Sequence, residues 1–199
     1  MSQAFEGVRI IDFTQVFAGP FAVMQLALLG ADVIKIEQPE TGDQTRGLMN
    51  ASDDGKPSPS FLTMNLNKRS LTLNLKHPEA SRIVTALVAT ADVVVENFKA
   101  GTMDKLGFGF ETLQAIKPDL IYCSISAYGQ TGPRAQEGGF DLTVQAMSGI
   151  MSVTGEPGGA PVKCGVPLSD FSAGLYAAYA ITAALMDVRR GEQIGRAHV

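Results

Sequence analysis

The chain has 199 residues, 45% apolar and 18% charged, and its 16 Lys and Arg against 20 Asp and Glu leave a formal net charge of -4. Such a composition describes a globular chain with a packed core, either one domain or part of a larger one, and excludes collagen-like and wholly disordered classes. The basic residues are scattered, so no basic face is available to nucleic acid, and Cys123 and Cys164 build neither a disulfide framework nor a zinc cluster. Both cysteines read as buried or idle thiols in a reducing cytoplasm. The opening residues lack a basic stretch followed by a long apolar run, so no secretory leader is expected and the location is read as cytoplasmic.

Residues 8–13 read as a strand, because Val8, Ile10, Ile11 and Phe13 are branched or aromatic. Gly19 and Pro20 break the chain and open a helix over 21–29, which Gly30 stops. Residues 32–37 form a second strand. The stretch 38–60 is rich in Pro, Gly, Asp and Ser and reads as a long functional surface loop, with Arg46 and Lys56 its only basic groups. Residues 61–75 read as two extended pieces around a polar turn, Asn67, Lys68, Arg69 and Ser70, with alternation over 71–75. Pro78 opens a helix through Ala91, and 92–96 form the next strand. A helical stretch over 102–116, interrupted by Gly107, Phe108 and Gly109, precedes a further strand over 120–126.

This βαβα rhythm implies a parallel sheet with helices on its faces, and ligands in such folds sit beyond the carboxyl ends of the strands. Those ends are residues 14–20, Gln38, and Asn97 with Phe98 and Lys99. After Tyr128 the rhythm stops. Gly and Pro punctuation surrounds one short helix over 141–147, and Pro167 leads into a long Ala-rich helix. The uncharged segment 171–186 falls short of the ~20 residues needed to cross a bilayer and contains Ser172, Gly174, Tyr176, Tyr179 and Thr182, so it reads as a buried helix. Residues 194–199 read as a non-native tail carrying a chemically idle His198, which leaves 1–193 as one incomplete domain.

The chain has no Gly-x-Ser-x-Gly elbow, no phosphate-binding Gly-x-x-x-x-Gly-Lys and no Gly-x-Gly-x-x-Gly after its first strand. Gly107, Phe108 and Gly109 interrupt a helix instead, so dinucleotide binding is disfavoured. His77, just before Pro78, occupies an ordinary loop position. An aspartate that is ionised and shielded from water can attack a thioester, and Asp170 stands at a helix start, where the macrodipole and free N–H groups favour an anion. The same placement describes a plain N-cap. Taken alone, the residues favour the cap.

Over residues 7–193 the sequence resembles the class III coenzyme A transferases, a family that includes formyl-CoA and carnitine CoA-transferases, with α-methylacyl-CoA racemase as a side branch. The resemblance is carried by residues 11–20 and 29–37, Gly42 with Asp43, Asn67 to Ser70, 73–76, 95–98, 145–149 and 167–174. It implies a Rossmann-like parallel sheet with flanking helices followed by a long helix, the truncated large CoA-binding domain of an enzyme that forms interlocked homodimers at full length. It also implies transfer of CoA from an acyl-CoA donor to a carboxylic acid acceptor, with Asp170 as the covalent nucleophile.

The resemblance further implies CoA contacts at Val16, Phe17, Ala18, Gln38, Leu73, Asn74, Leu75, Lys76, Asn97, Phe98 and Lys105. Lys76 and Lys105 suit phosphate, and Leu73 and Phe98 suit an adenine ring. Coenzyme A enters as a substrate; no tightly bound cofactor, metal, nucleic acid or membrane partner is expected. Phe17 and Gln38 stand where the formyl-CoA enzymes carry Gln and Arg, which argues against formate or oxalate. The racemase Gly-His-Asp motif reads Gly139, Phe140, Asp141, and Phe140 cannot move a proton, so transfer is favoured over racemisation. Asp141 itself reads as a helix cap first, or else as a residue that helps shape the site. The alternatives are a racemase or epimerase, and an inactive CoA-binding fragment.

Overall fold

The computed structural model of the protein describes residues 3–48, 56–191 and 197–198. Strands β1 (Arg9–Asp12), β2 (Asp32–Glu37), β3 (Lys68–Thr72), β4 (Val93–Glu96), β5 (Ile121–Ser124) and β6 (Ala197–His198) form one sheet in the order β3-β2-β1-β4-β5-β6. Every pairing is parallel. The helices are α1 (Ala18–Leu28), α2 (Pro59–Met64), α3 (Ala80–Val88), α4 (Thr102–Lys105), α5 (Phe110–Ile116), α6 (Asp141–Met147) and α7 (Leu168–Arg189). The expected tail lies outside the described residues, apart from the backbone of Ala197 and His198 beside β5.

Alternation along the central strands divides the core in two. Ile10, Val93, Val95, Ile121 and Cys123 face α1 and α7, meeting Val23, Leu26, Ile181 and Leu185. Ile11, Val94 and Tyr122 face the opposite layer, where α3, α4 and α5 supply Val84, Val88, Met103 and Leu113. Strands covered on both faces need near-continuous apolar runs, which is why β4 and β5 are buried throughout.

Two segments differ from the sequence expectation. Residues 61–64 are helical rather than extended, and the helix takes in 59 and 60 from the expected loop: Ser58 accepts the Phe61 N–H at 3.2 Å, and Pro59 opens the helix. The expected turn is largely strand, because Asn67 alone takes the turn conformation at φ 59 and β3 starts at Lys68, paired with Val33. Polarity in β3 is not a loop signature here, since Lys68 and Ser70 reach the buried carboxylates of Asp12 and Glu37.

Helix α7 has 22 residues and is long and apolar enough to cross a membrane by length and composition. Its stripe Gly174, Ala177, Ala178, Ile181, Ala184 and Leu185 is instead buried in the protein. Gly174 sets the approach to α1: a Cβ there would lie 2.6 Å from the Ala18 carbonyl oxygen and 2.9 Å from the Phe21 ring. The small residue brings the N-terminal part of α7 against the start of α1, with Asp170 one turn before Gly174 on the same side.

Candidate active site

The strand order reverses between β1 and β4, and a crevice opens beyond the carboxyl ends of these strands. Asn97 bridges it. Its Oδ1 accepts the Gln15 N–H and its Nδ2 donates to the Gln15 carbonyl, each at 2.8 Å. Above this bridge lies a cavity of ≈ 390 Å³, whose lining includes Val16, Phe17, Ala18, Asn97, Phe98, Lys99, Ser126, Gly139, Ser169 and Asp170.

Asp170 is the third residue of α7, not its cap; Pro167 holds the cap position and supplies no side-chain bond. The helix start is capped from outside. Asp141, the first residue of α6, accepts the N–H groups of Ser169 and Asp170 on Oδ1, at 2.8 and 3.4 Å. Its other oxygen accepts from Gln145 Nε2 at 2.6 Å, while Gln145 Oε1 accepts the Cys164 N–H at 2.8 Å. The expectation that Asp141 caps a helix is met, though on α7 rather than on its own helix.

This arrangement reverses the expected electrostatics of Asp170. Burial first, then the neighbouring Asp141 charge, pushes the Asp170 carboxyl up to about 6. The backbone donors that would hold its anion down are taken by Asp141. At neutral pH the group is mostly ionised yet poorly solvated, the condition that raises the nucleophilicity of a carboxylate.

Of the sequence candidates, Val16, Phe17, Ala18, Asn97, Phe98 and Asp170 line this one cavity. Gln38, Leu73, Asn74, Leu75, Lys76 and Lys105 are not in its lining. Gln38 is exposed and bonded to Thr41, Leu73 is buried in the layer with α3, and Lys76 and Lys105 are exposed. Gln38 and residues 73–76 follow β2 and β3, so they stand farther along the same sheet edge. Sequence reasoning missed Gln44, Ser126 and Ser169 as lining residues. The Ser126 and Ser169 hydroxyls are buried without a hydrogen-bond partner among the described residues. Ser126 lies just past β5, and the strand-end rule extended to that strand would have found it.

Phe17 lines both this cavity and a second cleft. Its ring meets Phe171 edge-on at 6.5 Å, Phe171 meets Phe21 at 4.9 Å, and Phe17 also lines a cleft of ≈ 500 Å³ with Thr63, Asp141, Lys163 and Phe171. Below the loop that carries Phe17 lies a set of buried charges, with Lys68 2.9 Å from Asp12 and Lys35 2.9 Å from Asp43. Burial pushes Lys68 down to about 8 against the pull of Asp12. Among the described residues no group of three or more His, Cys, Asp or Glu side chains could hold a metal ion.

A parallel sheet with a half-buried carboxylate and a strand-end loop at its switch point places the candidate site in the doubly wound α/β class, whose ligands sit at this crevice. Comparison narrows this class: the profile of CoA-transferase family III matches residues 5–197, and the chain belongs to that family. It is 47% identical to a succinate–glutarate CoA-transferase of Agrobacterium fabrum, over 92% of this chain and 47% of that protein. It is 46% identical to a human succinyl-CoA:glutarate CoA-transferase, over 91% of this chain and 41% of that protein. The crystal structure of a CAIB/BAIF family protein from Brucella suis superposes with a TM-score of 0.92 at 42% identity, covering 100% of this chain and 53% of that one. The chain thus spans about half the length of the relatives it matches.

Proposed function

We propose that the chain carries the CoA-binding, nucleophile-bearing part of an enzyme that transfers coenzyme A from an acyl-CoA to a carboxylic acid. The observation that carries this reading is Asp170, a carboxylate with its proton affinity raised to about 6, lining the cavity at the switch point together with the loop of Val16, Phe17 and Ala18.

In this reaction an Asp170 oxygen attacks the thioester carbonyl carbon of the donor. The C–S bond breaks, CoA leaves as thiolate, and the acyl group stays on Asp170 as a mixed anhydride. The thiolate then attacks the Asp170 carbonyl carbon and releases the donor's acid, leaving an aspartyl-CoA thioester. The acceptor carboxylate displaces CoA from it, and CoA attacks the acceptor's half of the new anhydride to give acceptor acyl-CoA and free Asp170. Water would hydrolyse each intermediate, so partial burial of Asp170 protects the bond energy as well as raising reactivity. Asn97 fixes the loop against β4, Lys99 adds a positive charge for phosphate, and Phe98 offers apolar surface to a base.

The relatives named for succinate and glutarate support a short dicarboxylate as donor or acceptor, and Phe17 in place of Gln argues against formate and oxalate. Phe140, 68% exposed, offers no proton carrier beside Asp141, which favours transfer over racemisation. The remainder of the enzyme and a second subunit would cover α7, whose Tyr176 and Tyr179 are 69% and 73% exposed. We assign the site to a cytoplasmic homodimer of the longer protein.

The test is direct. Mass spectrometry after incubating the full-length enzyme with acyl-CoA and hydroxylamine should find hydroxamate at Asp170, and Asp170→Ala should abolish exchange while CoA still binds. Exchange retained by Asp170→Ala would reject the reading.

A further inference from the structure

We propose that the buried pair Lys35 and Asp43 is a positioning device, which forces Val16 into a left-handed backbone conformation and so sets the shape of the cavity wall. Val16 has φ 69, a region that β-branched residues avoid because Cβ crowds the backbone. Such a residue persists only where its surroundings over-determine it, and here each neighbouring peptide is held from a different element.

The hold begins at Thr14. Its N–H and hydroxyl donate to Asp12 Oδ1 at 2.9 and 2.5 Å, and its carbonyl accepts from Lys35 Nζ at 2.6 Å. Gln15 gives both its backbone groups to Asn97. The Val16 N–H donates to Asp43 Oδ1 at 3.3 Å, and the same oxygen accepts the N–H and hydroxyl of Thr45 at 2.8 and 2.7 Å. Asp43 Oδ2 faces Lys35 Nζ at 2.9 Å, with both side chains 1% exposed or less. The pair therefore grips the loop at Thr14 and Val16, on either side of Gln15.

A role in folding alone does not account for this geometry. Buried ion pairs are on average no more stabilising than apolar residues of the same volume, and a loop that merely joined β1 to α1 would not need a left-handed valine. The other charges facing the pair are already engaged: Lys68 with Asp12, and Glu37 with Arg46 and the Asp43 N–H. The pair is thus committed to the loop.

For its ligand the inference rests on the CoA-transfer reading; for its geometry it does not. The first experiment needs no ligand: unfolding of Val16→Gly and Val16→Ala is compared in urea. Both lose the valine side chain, but only glycine adopts φ 69 freely, so Val16→Gly should have the higher midpoint, the reverse of the usual order. A higher midpoint for Val16→Ala would overturn the inference.

The second experiment titrates CoA by calorimetry into the full-length enzyme carrying Asp43→Asn, with Lys35→Met as the alternative should the first variant not fold. Relaxation of the loop lowers the binding-competent fraction, so the Kd should rise about tenfold or more. In the Val16→Gly background the same substitution should cost clearly less. Equal losses in the two backgrounds would overturn the positioning role. Should the unsubstituted full-length enzyme bind no CoA while glycine still exceeds alanine in stability, the ligand assignment fails and the enforced loop stands.

Discussion

Asp141 lies beside Asp170 at the start of α7 and takes the Asp170 backbone N–H at 3.4 Å, so one carboxylate occupies the helix-end donors that the other would have used. Asp141 supplies the cap and, after burial, the second contribution to the raised proton affinity. Asp141→Asn keeps an acceptor oxygen for the Ser169 N–H and removes the charge, which should lower the Asp170 pKa from about 6 without returning it to 3.8, because burial is the larger contribution. On the proposed reading, the full-length enzyme needs Asp170 ionised, so its activity should rise with pH through the Asp170 pKa. The acid limb of the kcat/KM profile should therefore move to lower pH, by several tenths of a unit or more. An unmoved limb would remove Asp141 from the electrostatics of the site.

The same shift bears on stability. A carboxyl whose folded pKa exceeds its unfolded value binds its proton more tightly in the folded protein, so stability is fully present below 3.8 and is lost as pH rises through about 6. Asp170→Asn removes this penalty. At pH 7 the variant should be more stable than the unsubstituted chain by on the order of 1 kcal/mol, allowing for solvent screening of a partly exposed group. Below pH 4 the difference should vanish, and urea midpoints at the two pH values decide it.

Much of this arrangement was legible in the residues, for physical reasons. Strands β4 and β5 are buried on both faces, and a run such as Val93, Val94, Val95 has few other uses. The strand-end rule brought Val16, Phe17, Ala18, Asn97 and Phe98 to the wall of one cavity with Asp170. Strand β3 was hidden because its polar side chains are partners of buried carboxylates two strands away or on the next strand, information that exists only in three dimensions. The electrostatics of Asp170 was hidden likewise, since Asp141 lies 29 residues earlier in the chain. The left-handed valine left no local trace at all; glycine or asparagine would have signalled it.

Arg46 should prove structural despite its place in the loop after β2. Its Nε and Nη2 pair with the two oxygens of Glu37 at 2.6 and 2.8 Å, and its guanidinium stacks 3.8 Å from the centre of the Phe61 ring. Burial alone would raise the Glu37 carboxyl, but Arg46, Ser70 and the Asp43 N–H outweigh it and hold the group down at about 2. Stability from this lowered pKa is present above 4.5 and is lost as pH falls through about 2. Arg46→Met, which strands Glu37, should cost about 2 kcal/mol at pH 7 by urea unfolding and progressively less below pH 4.5. A cost independent of pH would assign the loss to the Phe61 contact instead.

Gly174 offers the sharpest test of how the helices set the site. An alanine ordinarily stabilises a helix interior by ~1 kcal/mol relative to glycine. At Gly174 its Cβ would meet the Ala18 carbonyl oxygen at 2.6 Å, and a backbone atom at the start of α1 cannot swing aside as a side chain could. Overpacking of this kind costs ~1–3 kcal/mol, so the sign of the change should invert and Gly174→Ala should destabilise the chain by about 1 kcal/mol. Because Ala18 also lines the cavity, the displaced helix should widen it and weaken CoA binding in parallel. Ala177 lies farther along the same buried stripe, away from the cavity. Ala177→Val there should lower stability while leaving CoA affinity in place, and the contrast between the two variants separates loss of packing from loss of the wall.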